Sequence, residues 1–524
     1  MGNIFSKLSG STRRVTFGLS IIQLFKAFLS FFTVIISSTY FGTSLGRDVW
    51  LLSLSISLII GSLIFGPIFE IFRAKIVMIK ESDGEKTSLE YIGSLLTYFI
   101  IISTFIIIIA EILPSFLGKT FAPTYTLDQQ NALIIMIRLI MPTMLFSLVV
   151  SIITAVLNVY NIYYVTEIMT VLSSVLNVII IILLAPTIGI YSVVISNYLS
   201  NIILLIFLFF ILKRSKIPLF MQMNFNFKPV IIFFKFALPF YFNYFIAQVL
   251  LAVEKIISTF LGVGSLSVLD YARKFVSIPI SVIQSTVNVV LTATLAKKYI
   301  LEGEKAFILE LNKFIDMVLL GSLPLIVLFL VCPVEIVKVF LLRGAFDPKF
   351  VTPTSNALFW FGFGIVSIIF YSACAQALVS QGKTKTTAII SGSLGFFVLA
   401  INLLFYSKFG VQLLAFSWSF GHLIAGVIMY FSLSTLEFRL LMKEFLRKVV
   451  ILISICILSY FSYYYIIETL IKSTSIFANI LKIVSLLILS IFFELIFIFL
   501  LKFNERVIIS KLFNSCLFKL RLLK

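Results

Sequence analysis

Long apolar runs separated by short polar segments repeat along nearly the whole chain. A run of about 20 mostly apolar residues is long enough to cross a bilayer as a helix. The runs are continuously apolar rather than alternating, and a spanning backbone must satisfy its own hydrogen bonds, so helices are predicted rather than a barrel of strands. The predicted spans, about fourteen in number, are 17–41, 49–69, 88–113, 131–158, 163–185, 188–212, 229–260, 266–296, 307–341, 353–380, 384–406, 411–436, 448–468 and 477–501.

The composition indicates an all-α polytopic membrane protein and argues against several other classes. The chain has 524 residues, of which 60% are hydrophobic and 12% charged. Soluble globular proteins are about half apolar and about a quarter charged. The four cysteines are scattered and His422 is the single histidine, so neither a disulfide framework nor a metal site is predicted. No catalytic residue and no cofactor are expected.

The net charge of +19 has a topological interpretation. With both termini in the cytoplasm, most lysines and arginines fall in cytoplasmic loops, in agreement with the positive-inside rule. We therefore expect membrane lipids around the chain and no nucleic-acid partner. The N-terminal apolar run shows no cleavage site and is predicted to be retained as the first span. The stretch 70–90 is predicted to be an interfacial amphipathic segment.

Two short patterns recur about 220 residues apart, which indicates an internal repeat. The end of the first span, Ile35 to Gly42, is matched by Ile256 to Gly262 at the end of the seventh span, and Asp48 and Asp270 follow. The second pattern is 175–177 in span five, which is matched by 400–402 in span eleven. Both copies lie in odd-numbered spans, so two six-helix halves in a pseudo-two-fold arrangement are predicted, as in transporters. The predicted domains are an N-lobe at 1–212, a cytoplasmic linker at 213–228, a C-lobe at 229–436, and two extra spans with a basic cytoplasmic tail at 437–524.

Ionisable residues inside the spans are candidates for a functional site, because each costs about 2.5–3.5 kcal/mol on insertion scales. Lys26 lies near the middle of span one, whereas Glu167 lies near a cytoplasmic end. The other candidates for a cationic cavity are Lys255 in span seven and Arg273 and Lys274 in span eight. Lysine and arginine bind phosphate groups well, so the pattern predicts an anionic ligand such as a diphosphate.

A second set of charged residues is predicted to gate the cavity or to pair with its cations, namely Asp48, Arg138, Glu254 and Asp270. Glu254 and Lys255 are adjacent and point about 100° apart on a helix, so they need not pair. Asp48 and the segment Arg343 to Asp347 have an ordinary alternative role as solvated outer-loop residues, with Gly344 in a tight turn. Prolines 239 and 279 predict bends in spans seven and eight.

Three motifs in chain order resemble the MurJ/MviN family of bacterial lipid II flippases, within the multidrug/oligosaccharidyl-lipid/polysaccharide exporter superfamily. The first is Phe41-Gly42 with Asp48 after span one. The second runs from Phe260 through the stretch LDYARK to Pro279. The third, Phe340 to Asp347 (FLLRGAFD), is similar to the family's R-G-x-F loop between spans nine and ten.

The resemblance implies fourteen helices in a bacterial cytoplasmic membrane, a central cationic cavity, and a groove for a lipid tail beside the last two helices. The ligand would be a polyprenyl-diphosphate-linked glycan flipped from the inner to the outer leaflet, and a monomer is implied. The family carries an arginine pair in span two, whereas Leu58 to Ile64 is uncharged here, and span one has only Lys26. A related surface-glycan precursor is therefore an alternative to lipid II.

Two further function classes are alternatives to a flippase. An ion-coupled small-molecule antiporter of the same superfamily would need a carboxylate inside a lobe, for which Glu254 and Asp316 are the candidates. A membrane-embedded enzyme would need an acidic pair in an outer loop or a histidine site. The outer loop after span one has only Asp48, and His422 is expected to be a packed residue, so no enzyme is predicted.

Overall fold

The computed structural model describes residues 12–286, 291–434, 437–473 and 475–500, which are almost entirely α-helical and include no β-strand. The longer helices, in chain order, are α1 (Thr12–Tyr40), α2 (Leu45–Asp83), α3 (Glu85–Ile112), α4 (Pro114–Phe121), α5 (Leu127–Ile140), α6 (Thr143–Val159), α7 (Tyr163–Ile188), α8 (Tyr191–Arg214), α9 (Lys228–Phe260), α10 (Ser265–Thr286), α11 (Thr292–Val331), α12 (Pro333–Phe340), α13 (Val351–Ser380), α14 (Thr384–Phe409), α15 (Val411–Phe431), α16 (Phe438–Ser462), and, after a π-helical turn and the short α17 (Glu468–Leu470), α18 (Ile476–Leu500). The prediction of an all-α fold is confirmed.

Eleven helical segments among the described residues are long and apolar enough to cross a membrane. Helix α9 consists of two parts, Lys228–Phe242 and Tyr244–Phe260, which are inclined by 53° to one another. Counted together as one bent span, they bring the number to twelve. Pro239 lies one turn before this bend, as expected of a proline inside a helix. The apolar stretch Phe25–Tyr40 of α1 is shorter, and α10 ends next to residues that are not described. These observations are compatible with the fourteen predicted spans.

The chain forms two compact units. The first comprises Met1–Asp270, Arg343–Asp347 and Asn402–Lys408, and the second comprises Tyr271–Leu342, Pro348–Ile401 and Phe409–Lys524. The predicted lobe boundaries and their pseudo-two-fold arrangement stay predictions. The basic tail after residue 500 lies outside the described residues.

The first unit is organised around α2, which packs against α3, α5, α6 and α9. Its core is apolar and includes the buried residues Phe72, Ile92 and Phe233. The chain after α8 lies against α3, where Gly93 allows a very close approach: a Cβ atom at this glycine would lie 2.0 Å from the carbonyl oxygen of Gln222. These contacts fix the segment that leads into α9.

Helix α2 is longer than a bilayer span requires. Its 39 residues, at 1.5 Å per residue, extend about 58 Å, against about 30 Å for the hydrocarbon core. The stretch 70–90, predicted to be an interfacial amphipathic segment, is helical: residues up to Asp83 continue α2, and α3 begins at Glu85. Its position at the membrane surface stays a prediction. The far end is held by aromatic contacts, with Lys80 Nζ 3.8 Å from the ring centroid of Tyr160.

In the second unit, α13 packs against α11 and α15 through small residues. Gly362 meets Phe329 of α11, and Gly364 meets Trp418 and Ser419 of α15. Small residues let membrane helices approach closely enough for extensive van der Waals contact. The last long helix, α18, packs against α11, α12 and α16. His422 of α15 packs its ring against Tyr371 of α13 and Trp418, and its Nδ1 lies 2.7 Å from the carbonyl oxygen of Trp418.

Candidate functional site

Lys26 and Glu167 form an ion pair between α1 and α7 in the first unit. The lysine Nζ contacts Glu167 Oε2, and the amide of Gln23 lies 3.5 Å from the same oxygen. The side chains of Lys26 and Glu167 are 25% and 26% exposed, respectively. The charge of Lys26 is thus partly offset, yet both groups stay open to a ligand or to water.

The pair lies on two polar stripes that face one another. Positions three and four residues apart share one face of a helix. The stripe residues are Gln23, Lys26, Ser30, Thr33 and Ser37 on α1, and Glu167, Thr170, Ser174 and Asn177 on α7. Farther along the stripes lies a cavity of about 160 Å³, whose polar lining is Thr33, Ser37, Asn177 and Asn197. The first unit therefore carries a polar seam within its apolar helices.

Asp48 and Arg47 begin α2 and are both buried. Asp48 Oδ2 accepts from the backbone N–H of Gly264 at 2.6 Å, and Oδ1 accepts from the N–H of Ser267 at 2.9 Å and from its hydroxyl at 2.5 Å. The N–H groups of a first helical turn have no partner within the helix, and a negative charge is favourable there. Asp48 thus caps α10, and the expectation that it is a solvated loop residue is wrong.

Arg47 completes this junction by binding on three sides. One of its terminal nitrogens contacts Asp270 Oδ2 at 2.6 Å, the other donates to the carbonyl of Ser267 at 3.2 Å, and Nε donates to the Ser37 hydroxyl at 3.1 Å. Every guanidinium nitrogen therefore has a partner, as a buried charge requires. Sequence reasoning selected Asp48 and Asp270 but missed Arg47, which precedes Asp48 in the chain and binds Asp270.

The segment Arg343–Asp347 belongs to the same unit and contacts the end of α1. The Ala345 N–H donates to the Thr39 carbonyl at 2.9 Å. Gly42 and Gly344 have φ values of +53° and +54°, and a Cβ atom on either would overlap backbone of the other segment at 1.9 and 2.1 Å. Only glycine satisfies both conditions. The chain segments that carry the three resemblance motifs therefore meet here.

The other predicted site residues have separate surroundings. Lys255 Nζ lies 3.4 Å from Glu254 Oε1, so these neighbours do pair, and both side chains are nearly buried. Arg138 lies 3.8 Å from Glu111, and the two side chains are 54% and 37% exposed. In the second unit, the Arg273 guanidinium lies 5.1 Å from the ring centroid of Phe361, and Lys274 is exposed. That Lys26, Lys255, Arg273 and Lys274 bind one ligand stays a prediction.

A second charged group lies in the second unit between α11 and α16. Lys448 Nζ lies 2.9 Å from Asp316 Oδ1 and donates to Asn312 Oδ1 at 2.8 Å. Arg447 contacts Asp316 and lies 2.8 Å from Glu444. The side chains of Lys448 and Asp316 are only 5% and 8% exposed. We call Asp316, Glu444, Arg447 and Lys448 the α11–α16 network.

Sequence reasoning assigned these network residues to other roles. Lys448 is the first residue of the predicted span 448–468, and Asp316 is one of the two carboxylates, with Glu254, that an ion-coupled antiporter could use. Two cations already contact that carboxylate. The partner of Lys26 was also missed, although the three-and-four spacing of polar residues on α1 and α7 was a readable signal.

Comparison with known proteins places this architecture in a family. The family model described as "Lipid II flippase MurJ" matches residues 37–481. A probable lipid II flippase MurJ of Buchnera aphidicola subsp. Schizaphis graminum is 24% identical over 464 residues, which cover 84% of this chain and 87% of that protein. The corresponding protein of Buchnera aphidicola subsp. Acyrthosiphon pisum is also 24% identical and covers 70% and 73% of the two chains.

Solved structures support the same fold. A lipid II flippase MurJ in an inward closed conformation is similar with a TM-score of 0.74 and 19% identity, covering 92% of this chain and 99% of that chain. An inward-facing multidrug resistance transporter of the MATE family gives a TM-score of 0.63 and 13% identity, covering 81% and 99%. At these identities the likeness is one of fold. Because the family model covers most of the sequence, the chain belongs to the lipid II flippase MurJ family.

Proposed function

We propose that this protein flips a polyprenyl-diphosphate-linked glycan, with lipid II as the first candidate, from the inner to the outer leaflet of the bacterial cytoplasmic membrane. The observation that carries the proposal is the family match over residues 37–481, together with relatives of similar length named as probable lipid II flippases. A transporter of this kind needs no catalytic residue, and we propose that the chain is not an enzyme.

Lys26, Lys255, Arg273 and Lys274 are proposed to bind the diphosphate. Their basic side chains suit an anion, and the partial exposure of Lys26 and the exposure of Lys274 leave both accessible. Asp48, Arg138, Glu254 and Asp270 are proposed as gating residues or as partners of these cations. For Asp48 and Asp270, the support is their shared connection to the start of α10 through Ser267 and Arg47.

A specific feature favours a second cargo. The stretch Leu58 to Ile64 of α2 carries no charge, although family members place arginines in span two, and Leu58 is an exposed apolar residue. Without these arginines the chain lacks part of the family's set of anion-binding residues. This difference favours a lipid-linked glycan other than lipid II. A lipid-linked precursor of capsule or O-antigen is therefore the second candidate.

Complementation tests the cargo directly. The chain and its Lys26→Ala and Lys274→Ala variants are expressed in a bacterium whose own lipid II flippase can be shut off, with membrane levels checked by immunoblot. Growth with the parent chain and loss of growth with either variant would support lipid II flipping and the assigned cations. Membrane expression without growth would favour the second candidate over lipid II, and a strain defective in capsule or O-antigen export would then test it.

We further propose that both termini are cytoplasmic and that the protein acts as a monomer. The bias of lysine and arginine toward alternate loops supports the orientation. Fusions of a reporter that is active only outside the cytoplasm, placed after residue 524 and in the loop near Lys408, test it. Activity at the loop and none at the C-terminus is the expected result.

A further inference from the structure

We propose that Glu167 is an internal counter-ion that occupies the anion-binding position beside Lys26 when no substrate is present and is displaced by the substrate diphosphate. The inference rests on the proposed function, because it assigns a second state to one of the proposed binding residues. It also adds a residue of α7 to a site otherwise assigned to the first, seventh and eighth spans.

The geometry of the pair supports exchange. Nζ of Lys26 has one carboxylate partner, and within the described part of the chain neither residue forms a second ion pair. About a quarter of each side chain is exposed, so a ligand can approach without unfolding its surroundings. Gln23, one turn from Lys26 on α1, lies at the same carboxylate oxygen and offers a further donor for an anion.

The chemistry also favours exchange. A lysine inside a membrane span needs an anionic or polar partner whenever the site is empty, and Glu167 supplies one. A diphosphate carries more negative charge than a carboxylate and presents more acceptor oxygens, so it competes well for an ammonium group. The displaced carboxylate would remain within the polar stripe, where Thr170 and Ser174 follow it on the same face of α7.

Each of the other ion pairs among the described residues lacks at least one of these properties, and the Arg138–Glu111 pair contains no proposed ligand cation. Within the α11–α16 network, Asp316 contacts two cations at once, so release of one leaves the carboxylate held by the other. Lys298 and Glu302 lie one turn apart on the same helix, and neither belongs to the proposed site. Lys26–Glu167 is thus an open two-membered pair between helices that also includes a proposed ligand cation.

The test measures diphosphate binding to the full chain, purified in detergent, by isothermal titration and by ligand-induced thermal stabilisation. Farnesyl diphosphate is the probe, with farnesol and sulfate as controls for the tail and for a simple anion. The variants are Glu167→Gln, which removes the competitor and keeps Lys26, and Lys26→Gln, which removes the cation. Glu302→Gln is the matched control, because it makes the same change in an exposed pair outside the site.

Removing the competing carboxylate should tighten farnesyl diphosphate binding by up to about fivefold, since partly exposed ion pairs change equilibria by at most that factor. Lys26→Gln should weaken binding, and Glu302→Gln should leave it unchanged. Equal or weaker binding by Glu167→Gln, with normal binding by the parent chain, would overturn the inference and leave the proposed function intact. Absence of diphosphate binding by the parent chain would overturn both.

A folding defect in Glu167→Gln would not block the test. Glu167→Asp keeps the charge but shortens the side chain by one methylene group, so the contact with Lys26 is loosened. Binding by this variant should lie between that of the parent chain and the value expected for Glu167→Gln. Binding no tighter than the parent's would contradict the exchange of partners.

Discussion

Two of the charged groups among the described helices differ in their number of members and in exposure. In the first unit, Lys26 and Glu167 form a single partly exposed pair between α1 and α7. In the second unit, the four members of the α11–α16 network interlock, with Lys448 and Asp316 almost fully buried and Asn312 bound to Lys448.

The difference separates charges that can change partners from charges that hold helices together. An exposed pair is worth up to about 1 kcal/mol and is easily replaced, whereas removing one member of a buried pair typically costs about 3–5 kcal/mol. The network also joins α16, one of the C-terminal helices, to α11. A basic residue inside a membrane helix is therefore weak evidence for ligand binding until its partners are known.

The largest effect should come from breaking the network. Asp316→Ala leaves Glu444 as the remaining carboxylate near Arg447 and Lys448. The free energy of unfolding should therefore fall by about 3 kcal/mol, the lower end of the cost of breaking a buried pair. The midpoint of thermal unfolding in detergent measures this. Glu310→Gln, which changes an exposed pair with Lys313 on the same helix, is the control. Similar midpoints for the two variants would remove the distinction between buried and open charges.

A smaller loss is expected at the buried junction of the first unit. Asp48→Asn keeps the shape of the side chain but replaces a carboxylate that accepts three hydrogen bonds at the start of α10. The expected cost is about 2 kcal/mol, the range of hydrogen bonds to charged groups. The matched control is Asp128→Asn, an exposed acid in the first turn of α5. Equal loss of stability in both would argue against burial as the cause.

The open pair should matter little to stability. Glu167→Gln is expected to lower the free energy of unfolding by less than about 1 kcal/mol, because about a quarter of each side chain is exposed. The same thermal midpoint measures it, without ligand. A loss as large as that of Asp316→Ala would show that Lys26 and Glu167 form a structural ion pair. The contrast with the buried network would then not hold.

The smallest effect is expected at Arg138. Its contact with Glu111 is 3.8 Å long and well exposed, so Glu111→Gln should change the unfolding midpoint by no more than the error of measurement. Unchanged growth in the complementation strain would show that this pair is only a surface contact. Lost growth at normal stability would instead support the gating role proposed for Arg138.

The helical fold and the family could be predicted from the sequence, because hydropathy and motif order are local properties. Helices such as α7 and α13 follow directly from apolar length. The ion-pair partners of the charged residues could not be predicted in this way, because they depend on which helices are in contact. Lys26 meets a residue 141 positions away, and Arg47 meets one 223 positions away. No spacing rule joins such positions, although the polar stripes identify which face of α1 and α7 is involved.

Position along a span also misled the sequence reasoning. Lys448 lies at the edge of a predicted span, where lysines usually extend to the interface. Its burial results from Asp316 and Asn312 on α11, which the sequence does not place beside α16. The length of α2 was missed for the opposite reason: charged residues after Arg73 resemble a surface segment, although the helix does not end there.

Because α2 is longer than a membrane span, its movement can be followed with probes attached to it. Residues Glu81 to Asp83 are exposed at the end opposite the buried Arg47. A spectroscopic probe attached at Ser82 would report on a helix whose other end lies in the protein interior, without perturbing any apolar contact. Pro67 divides the helix, so a second probe on the near side of Pro67 would distinguish tilting of the whole rod from hinging at the proline.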